Sequence, residues 1–207
     1  MVSVKRISKS FGARSLWENI SLDVERGQLL ALTGRSGAGK TTLLNCIGLL
    51  ESVDSGEICI GDKDITKLGS RGTRRFRRDQ LGYLFQNYAL IENATLRDNL
   101  DVALVGRRKR SERKSYDAIL ERVGLGGRAK DKIYLLSGGE QQRVALARLL
   151  VKQPSVVLAD EPTGALDREN ADLVIEVLRD MASAGCAVII ATHNQHVEDA
   201  CDVVFKI

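Results

Sequence analysis

Apolar positions recur along the chain with two spacings, and each marks a different kind of element. Near the start Val2 and Val4 alternate with polar residues, Ile7 falls one step out of phase, and Ile20, Leu22 and Val24 alternate without a break. Ile58 and Ile60 share one face of residues 57–60, after an Asp54-Ser55-Gly56 turn. Period-two alternation predicts half-buried strands, here an antiparallel β layer. The runs 29–32, 81–85, 155–159 and 187–191 are almost wholly apolar. They predict short buried strands of the kind covered on both faces in a parallel sheet. Val203-Val204-Phe205 is strand-like as well. Helical spacing appears at Leu43, Leu44 and Ile47, at Leu96, Leu100 and Leu104 after Ala94-Thr95, and at Ile119, Leu120 and Val123, closed by Gly124 and Gly126. It returns at Val144, Ala147, Leu150 and Val151, and at Leu173, Val174, Val177 and Leu178. Strands and helices alternating in this way predict an α/β fold with a mainly parallel sheet.

The polar stretches refine that outline. Arg71, Arg74, Arg75, Arg77 and Arg78 crowd residues 62–80, which read as a solvated helix or loop. A second basic cluster, Arg107 to Arg110, marks a connection inside residues 87–150, which read as a mostly helical insertion. The 207 residues suit one domain over 1–207 with that insertion at about 87–150. Hydrophobic content of 43% against 28% charged residues is the balance of a soluble globular protein, and a net charge of +4 does not by itself indicate a nucleic-acid binder, although the arginine clusters keep that question open.

The chemistry concentrates at the ends of the buried strands. After the first, Gly34, Arg35, Ser36, Gly37, Ala38, Gly39, Lys40, Thr41 and Thr42 fit G-x-x-x-x-G-K-[ST], the phosphate-cradling P-loop. Its glycines let successive N–H groups turn toward an anion, Lys40 adds a point charge, and the Thr41 hydroxyl is a Mg²⁺ ligand type. The helix that follows aims its positive end at the same phosphates. The run 155–159 ends in Asp160-Glu161-Pro162. Asp160 suits Mg²⁺ held through water, and Glu161 suits activation of a water. Pro162 predicts an extended Glu161 and a stop to the strand. His193 follows the run 187–191, at the sheet edge where α/β folds bind ligands. His196, on the helix beyond, receives no role.

Ser137 and Glu140 form a capping box around Gly138 and Gly139. Two glycines in a first turn weaken a helix by roughly 1 kcal/mol each relative to alanine, which suggests amides approached closely by another group. The chain therefore carries two phosphate-type sites about a hundred residues apart. Either each binds its own phosphate, or two copies share nucleotides. Phe11, beside Gly12, offers a π face for a nucleobase. Spacing alone favours a plainer reading, a turn residue tucked into the β layer, and Trp17 reads as packing. The cysteines Cys46, Cys59, Cys186 and Cys201 form no Cys-x-x-Cys pair and read as reduced core thiols. Charges at Lys5, Arg6 and Lys9 argue against a secretory leader, and no apolar run of membrane-spanning length occurs.

Taken in order, Gly34 to Thr42, Gln86, Leu136-Ser137-Gly138-Gly139-Glu140-Gln141, Val156 to Glu161, Ala165-Leu166-Asp167 and His193 resemble the ATP-binding cassette family over almost the whole chain. Residues 160–167, and Arg77-Arg78 leading to Phe85-Gln86-Asn87-Tyr88, look most like the bacterial branch of macrolide exporters, lipoprotein-release complexes and antimicrobial-peptide or bacteriocin exporters. The resemblance implies a P-loop NTPase core with an N-terminal antiparallel layer and an inserted helical subdomain, using ATP and Mg²⁺. It implies that Phe11 stacks on adenine, reversing the reading from spacing. It further implies that Lys40 and the loop amides hold the β- and γ-phosphates, that Thr41 and Gln86 ligate Mg²⁺ directly with Asp160 behind a water, that Glu161 is the base and that His193 contacts the γ-phosphate. Ser137, Gly138 and Gly139 would reach ATP on a second copy, with Asp167 joining the two sites. The partners implied are that second copy, in an ATP-sandwiched homodimer, and a separately encoded integral membrane permease met by residues 87–150 with Gln86 as hinge. That places the protein peripherally on the cytoplasmic face of the membrane, with no nucleic acid expected. The end at Ile207 implies no C-terminal regulatory extension. A soluble cassette ATPase acting on nucleic acid or ribosomes is the alternative. A small-molecule kinase is opposed by the signature segment and Glu161, and GTP specificity by the absence of Asn-Lys-x-Asp.

Overall fold

The computed structural model describes residues 1–106, 116–164 and 166–207. Strands β1 (Val2–Phe11) and β2 (Arg14–Val24) pair antiparallel across the Gly12-Ala13 turn. The phase slip at Ile7 is a bulge. The β1–β2 register shifts between Val4 and Ile7, and Arg6 takes a positive φ of 47°. The extra residue returns Ile7 to the buried face. Strand β3 (Leu29–Thr33) runs into α1 (Lys40–Ile47), and β4 (Ser55–Ile60) with the short β5 (Lys63–Asp64) completes an antiparallel sheet in the order β2-β1-β4-β5.

Helix α2 (Ser70–Asp79) carries the arginine cluster. Its first turns are solvated as expected, but Arg77 turns inward and donates to the Gly48 carbonyl at 3.3 Å and to the Leu49 carbonyl. Those groups lie at the carboxyl end of α1, so Arg77 caps that helix. Strand β6 (Leu81–Leu84) leads to helices α3 (Leu96–Val102) and α4 (Tyr116–Arg122), a 3-10 turn at Ile133–Leu135, and α5 (Gly138–Lys152). Thr95 caps α3 through a reciprocal pair with Asp98. The Arg107–Arg110 cluster lies outside the described residues. Strand β7 (Val156–Asp160), helix α6 (Arg168–Ser183), strand β8 (Ala187–Ala191), helix α7 (Gln195–Asp199) and strand β9 (Val203–Lys206) complete the chain.

The second sheet is wholly parallel, in the order β6-β7-β8-β3-β9. Its residues alternate between two cores. Leu30, Val156, Leu158 and Ile189 pack with α1 and the antiparallel sheet, while Leu29, Val157, Val188 and Ile190 pack with α3, α4, α5 and α6. Both faces are covered, which is why these strands read as unbroken apolar runs. Burying a Leu or Val contributes about 1.5–3 kcal/mol, so the two cores hold β3, β7 and β8 rigidly in register. Their carboxyl ends then lie along one edge, followed by the P-loop, Glu161 and His193.

Candidate active site

A cleft of about 560 Å³ opens at that edge. Ser36, Gly37, Gly39, Lys40, Thr41 and Thr42 line its floor, Gln86, Asp160, Glu161 and His193 one wall, and Phe11 with Leu16 its rim. The floor follows from the loop's composition. Gly39 precedes α1 with φ 96° and ψ 18°, left-handed backbone that costs other residues roughly 1–2 kcal/mol. A Cβ there would lie 2.6 Å from Leu16 Cδ2 and 2.7 Å from Trp17 Nε1. Trp17 is buried, as expected, and its packing over the loop is what Gly39 permits. No side chain caps α1 and no acidic residue occupies its first turn. Among the described residues the amides of Lys40 and Thr41 meet no acceptor. Lys40 Nζ donates to the Gly34 carbonyl at 3.0 Å and to the Arg35 carbonyl at 3.4 Å, folded over its own loop.

Beside it, the Thr41 hydroxyl donates to Asp160 Oδ1 at 3.1 Å. Burial pushes the Asp160 carboxyl above its usual value, and that hydrogen bond pulls the other way. A buried carboxylate, a hydroxyl and the Gln86 amide are all oxygen donors, and one carboxylate with two neutral ligands suits Mg²⁺ shared with substrate phosphates. Strand β6 is set by Tyr83, which stacks on Phe85 at 4.0 Å and donates to Asn45 Oδ1 at 2.9 Å, so Gln86 leaves from a fixed point on α1. Burial, with the Asp160 charge second, raises the Tyr83 phenol.

Glu161 departs from its expected geometry. Its φ is +47°, not extended. Its N–H donates to the Ala191 carbonyl at 2.9 Å and its carbonyl accepts from Gly164 at 3.2 Å, so the strand ends by turning sharply there. These bonds override the preference imposed by Pro162, storing about 1–3 kcal/mol of backbone strain. The turn brings Glu161 Oε1 within 2.8 Å of His193 Nδ1. The other carboxylate oxygen, Oε2, is buried without a partner among the described residues. It is the acceptor left for a water.

Phe11 is 52% exposed at the cleft rim, so it is not tucked into the β layer. Ser137, Gly138, Gly139 and Asp167 do not line this cleft. Ser137 and Glu140 close their capping box at the start of α5, and Arg128 donates to Glu140. The Ser137 amide first, then Arg128, lower the Glu140 carboxyl to about 2. Asp167 caps α6 by accepting from Asn170 N at 2.9 Å, and Arg143 on α5 donates to Asn170 Oδ1 at 2.6 Å. The expected signature and joining residues thus form one connected surface away from the P-loop. Ala165 lies outside the described residues. Leu16 is the cleft residue without a sequence signal, since its role is to lie over Gly39 from a different sheet.

The sequence pattern of the family described as ABC transporter matches residues 17–164. A macrolide export ATP-binding/permease protein of Campylobacter jejuni subsp. jejuni serotype O:23/36 (strain 81-176) is 36% identical over 199 residues, 95% of this chain and 31% of the relative. The chain thus spans about a third of that relative's length. A methionine import ATP-binding protein of Clostridioides difficile (strain 630) is 36% identical over 200 residues, 95% of this chain and 62% of the relative. A dimeric ATP-binding cassette in a post-hydrolysis state, bound to ADP and Pi, matches with a TM-score of 0.90 at 31% identity, over 100% of this chain and 94% of the other. With the P-loop, the carboxylate pair and the histidine gathered in one cleft, the chain belongs to the ABC transporter family and is an ATPase of its cassette fold.

Proposed function

We propose that two copies of this chain close on ATP and drive a membrane-embedded permease, with export favoured by the similarity to the macrolide export protein. The observation that carries this reading is the convergence in one cleft of Lys40, the Thr41–Asp160 pair and the Glu161–His193 pair, with the amides of Gly138 and Gly139 left outside it. Phosphoryl transfer to water needs charge compensation and a water held in line more than covalent help. Lys40 and the α1 amides compensate the β- and γ-phosphates, and Phe11 receives the adenine. Thr41, Gln86 and Asp160 would hold Mg²⁺, which when bound would supply further neutralisation of the phosphate oxygens. Glu161 takes a proton from the attacking water at its unpartnered Oε2, while His193 fixes the carboxylate through Oε1.

Ser137, Gly138 and Gly139 complete the γ-phosphate site of the second copy, and Asp167 joins the two sites. ATP then favours the closed pair because it gains contacts to both copies, and hydrolysis removes them. The opening of the pair is the work delivered to the permease, which meets the helical residues 87–150. No helix among the described residues is long and apolar enough to cross a membrane.

Glu161→Gln tests the assignment. Phosphate release falls by at least about a hundredfold, Mg-ATP binding persists, and light scattering shows an ATP-dependent dimer. Normal release by the variant overturns the base assignment. Retention of the protein on nucleic acid at physiological salt, with none on permease-containing membranes, overturns the transport reading.

A further inference from the structure

Lys9 lies outside the cleft lining yet stands directly behind its aromatic rim. Its side chain is only 6% exposed, unusual for a lysine unless the charge is paired. The ammonium donates to Glu51 Oε1 at 2.8 Å and to the Ser52 carbonyl at 2.8 Å, and lies 3.7 Å from Asp54 Oδ1. It also sits over the Phe11 ring, 5.0 Å from the centroid. Next to it, the Ser10 amide and hydroxyl both donate to Asp54 Oδ2, at 2.7 Å and 2.6 Å. Residues 51–54 belong to the connection that leaves α1, the helix fed by the P-loop. The last residues of β1 are therefore tied to the connection that follows the phosphate-binding helix, just before the chain reaches Phe11.

We propose that Lys9 is a positioning residue for nucleobase recognition: its ammonium, held by Glu51 and the Ser52 carbonyl, occupies one face of the Phe11 ring and fixes the opposite face toward the cleft for a purine. The physics is direct. A cation within about 6 Å of a ring centroid is attracted to the π face, and it draws the ring to one orientation. Phe11 has no polar handle to fix itself and is half exposed, so without the cation its ring is free to rotate away from the cleft. A ring already oriented loses less freedom when a base stacks on it. The inference rests on the stacking role given to Phe11 above.

The test compares Mg-ATP with inorganic triphosphate, which has no base, by titration calorimetry on the full chain. Lys9→Met weakens ATP roughly three- to tenfold and leaves triphosphate unchanged, while Lys9→Arg restores ATP affinity. If Lys9→Met does not fold, Lys9→Gln keeps a donor for the Ser52 carbonyl without the charge and reads the same contrast. Phe11→Ala separates the two ideas. If it weakens ATP alone while the Lys9 variants bind ATP normally, stacking stands and the positioning role is overturned. If Phe11→Ala leaves ATP untouched, the stacking role itself is overturned. Equal weakening of ATP and triphosphate in Lys9→Met also overturns the proposal, since Lys9 then acts through α1 alone.

Discussion

Two helix ends rich in glycine, at Gly39 and at Ser137–Gly139, look alike in sequence and are built differently. The first is bare. Gly39 has left-handed backbone, no side chain caps α1, and no acidic residue occupies its first turn. The second supplies its own anion, since the Glu140 carboxylate accepts from the Ser137 amide at 2.8 Å and from Arg128. A bare end depends on an external phosphate for compensation, whereas the capping box holds the second end in place before any ligand arrives and leaves the Gly138 and Gly139 amides for one. The first therefore suits the main phosphate cradle, and the second suits a rigid face brought up to a phosphate already bound elsewhere.

Substitution at the two glycines should expose the contrast most strongly. Gly39→Ala places a methyl against Leu16 and Trp17 in a backbone region hostile to alanine, so ATP affinity collapses by more than about a hundredfold and the fold loses about 1–3 kcal/mol. Gly139→Ala meets only ordinary contacts, the nearest Leu166 Cδ2 at 3.6 Å, and gains about 0.5–1 kcal/mol of helix stability. Calorimetric melting with and without ATP checks both. Equal losses at the two positions would erase the distinction.

Ser137→Arg comes next. Turnover falls about a hundredfold while ATP binding in the isolated cleft changes by less than about threefold, measured by phosphate release against titration. A parallel fall in both would put Ser137 in the same pocket as Lys40.

The smallest effect concerns the capping box. Glu140→Gln costs about 1 kcal/mol at neutral pH by denaturant unfolding. The Glu140 carboxyl is lowered to about 2 in the fold, so its contribution is complete above the ordinary carboxylate value near 4.5 and is lost as pH falls toward 2. The gap between wild type and variant therefore closes across that window. A gap that does not depend on pH would assign it to packing.

The same contrast explains what the residues alone disclosed. Unbroken apolar runs marked β7 and β8 because both their faces are buried, and the P-loop, Asp160-Glu161 and His193 followed from their place at strand ends. Local patterns could not reveal features made by distant elements. Arg77 reads as solvated until the carbonyls of Gly48 and Leu49 are placed beside it. The turn at Glu161 contradicts its proline because Ala191, on another strand, holds its amide. Lys9 and Leu16 gain their positions only when the antiparallel sheet lies against α1. Ile7 is the intermediate case, where an out-of-phase residue signalled the bulge without naming it.

The composite site is tested most directly by mixing two inactive variants, Lys40→Ala with a broken cradle and Ser137→Arg with a broken capped end. In a mixed dimer one site combines the two defects, and the other combines two intact halves. The account predicts an ATP-dependent dimer in the mixture and phosphate release recovering toward about a quarter of the wild-type rate. Release that stays at the sum of the two variants, with no dimer formed, would contradict it.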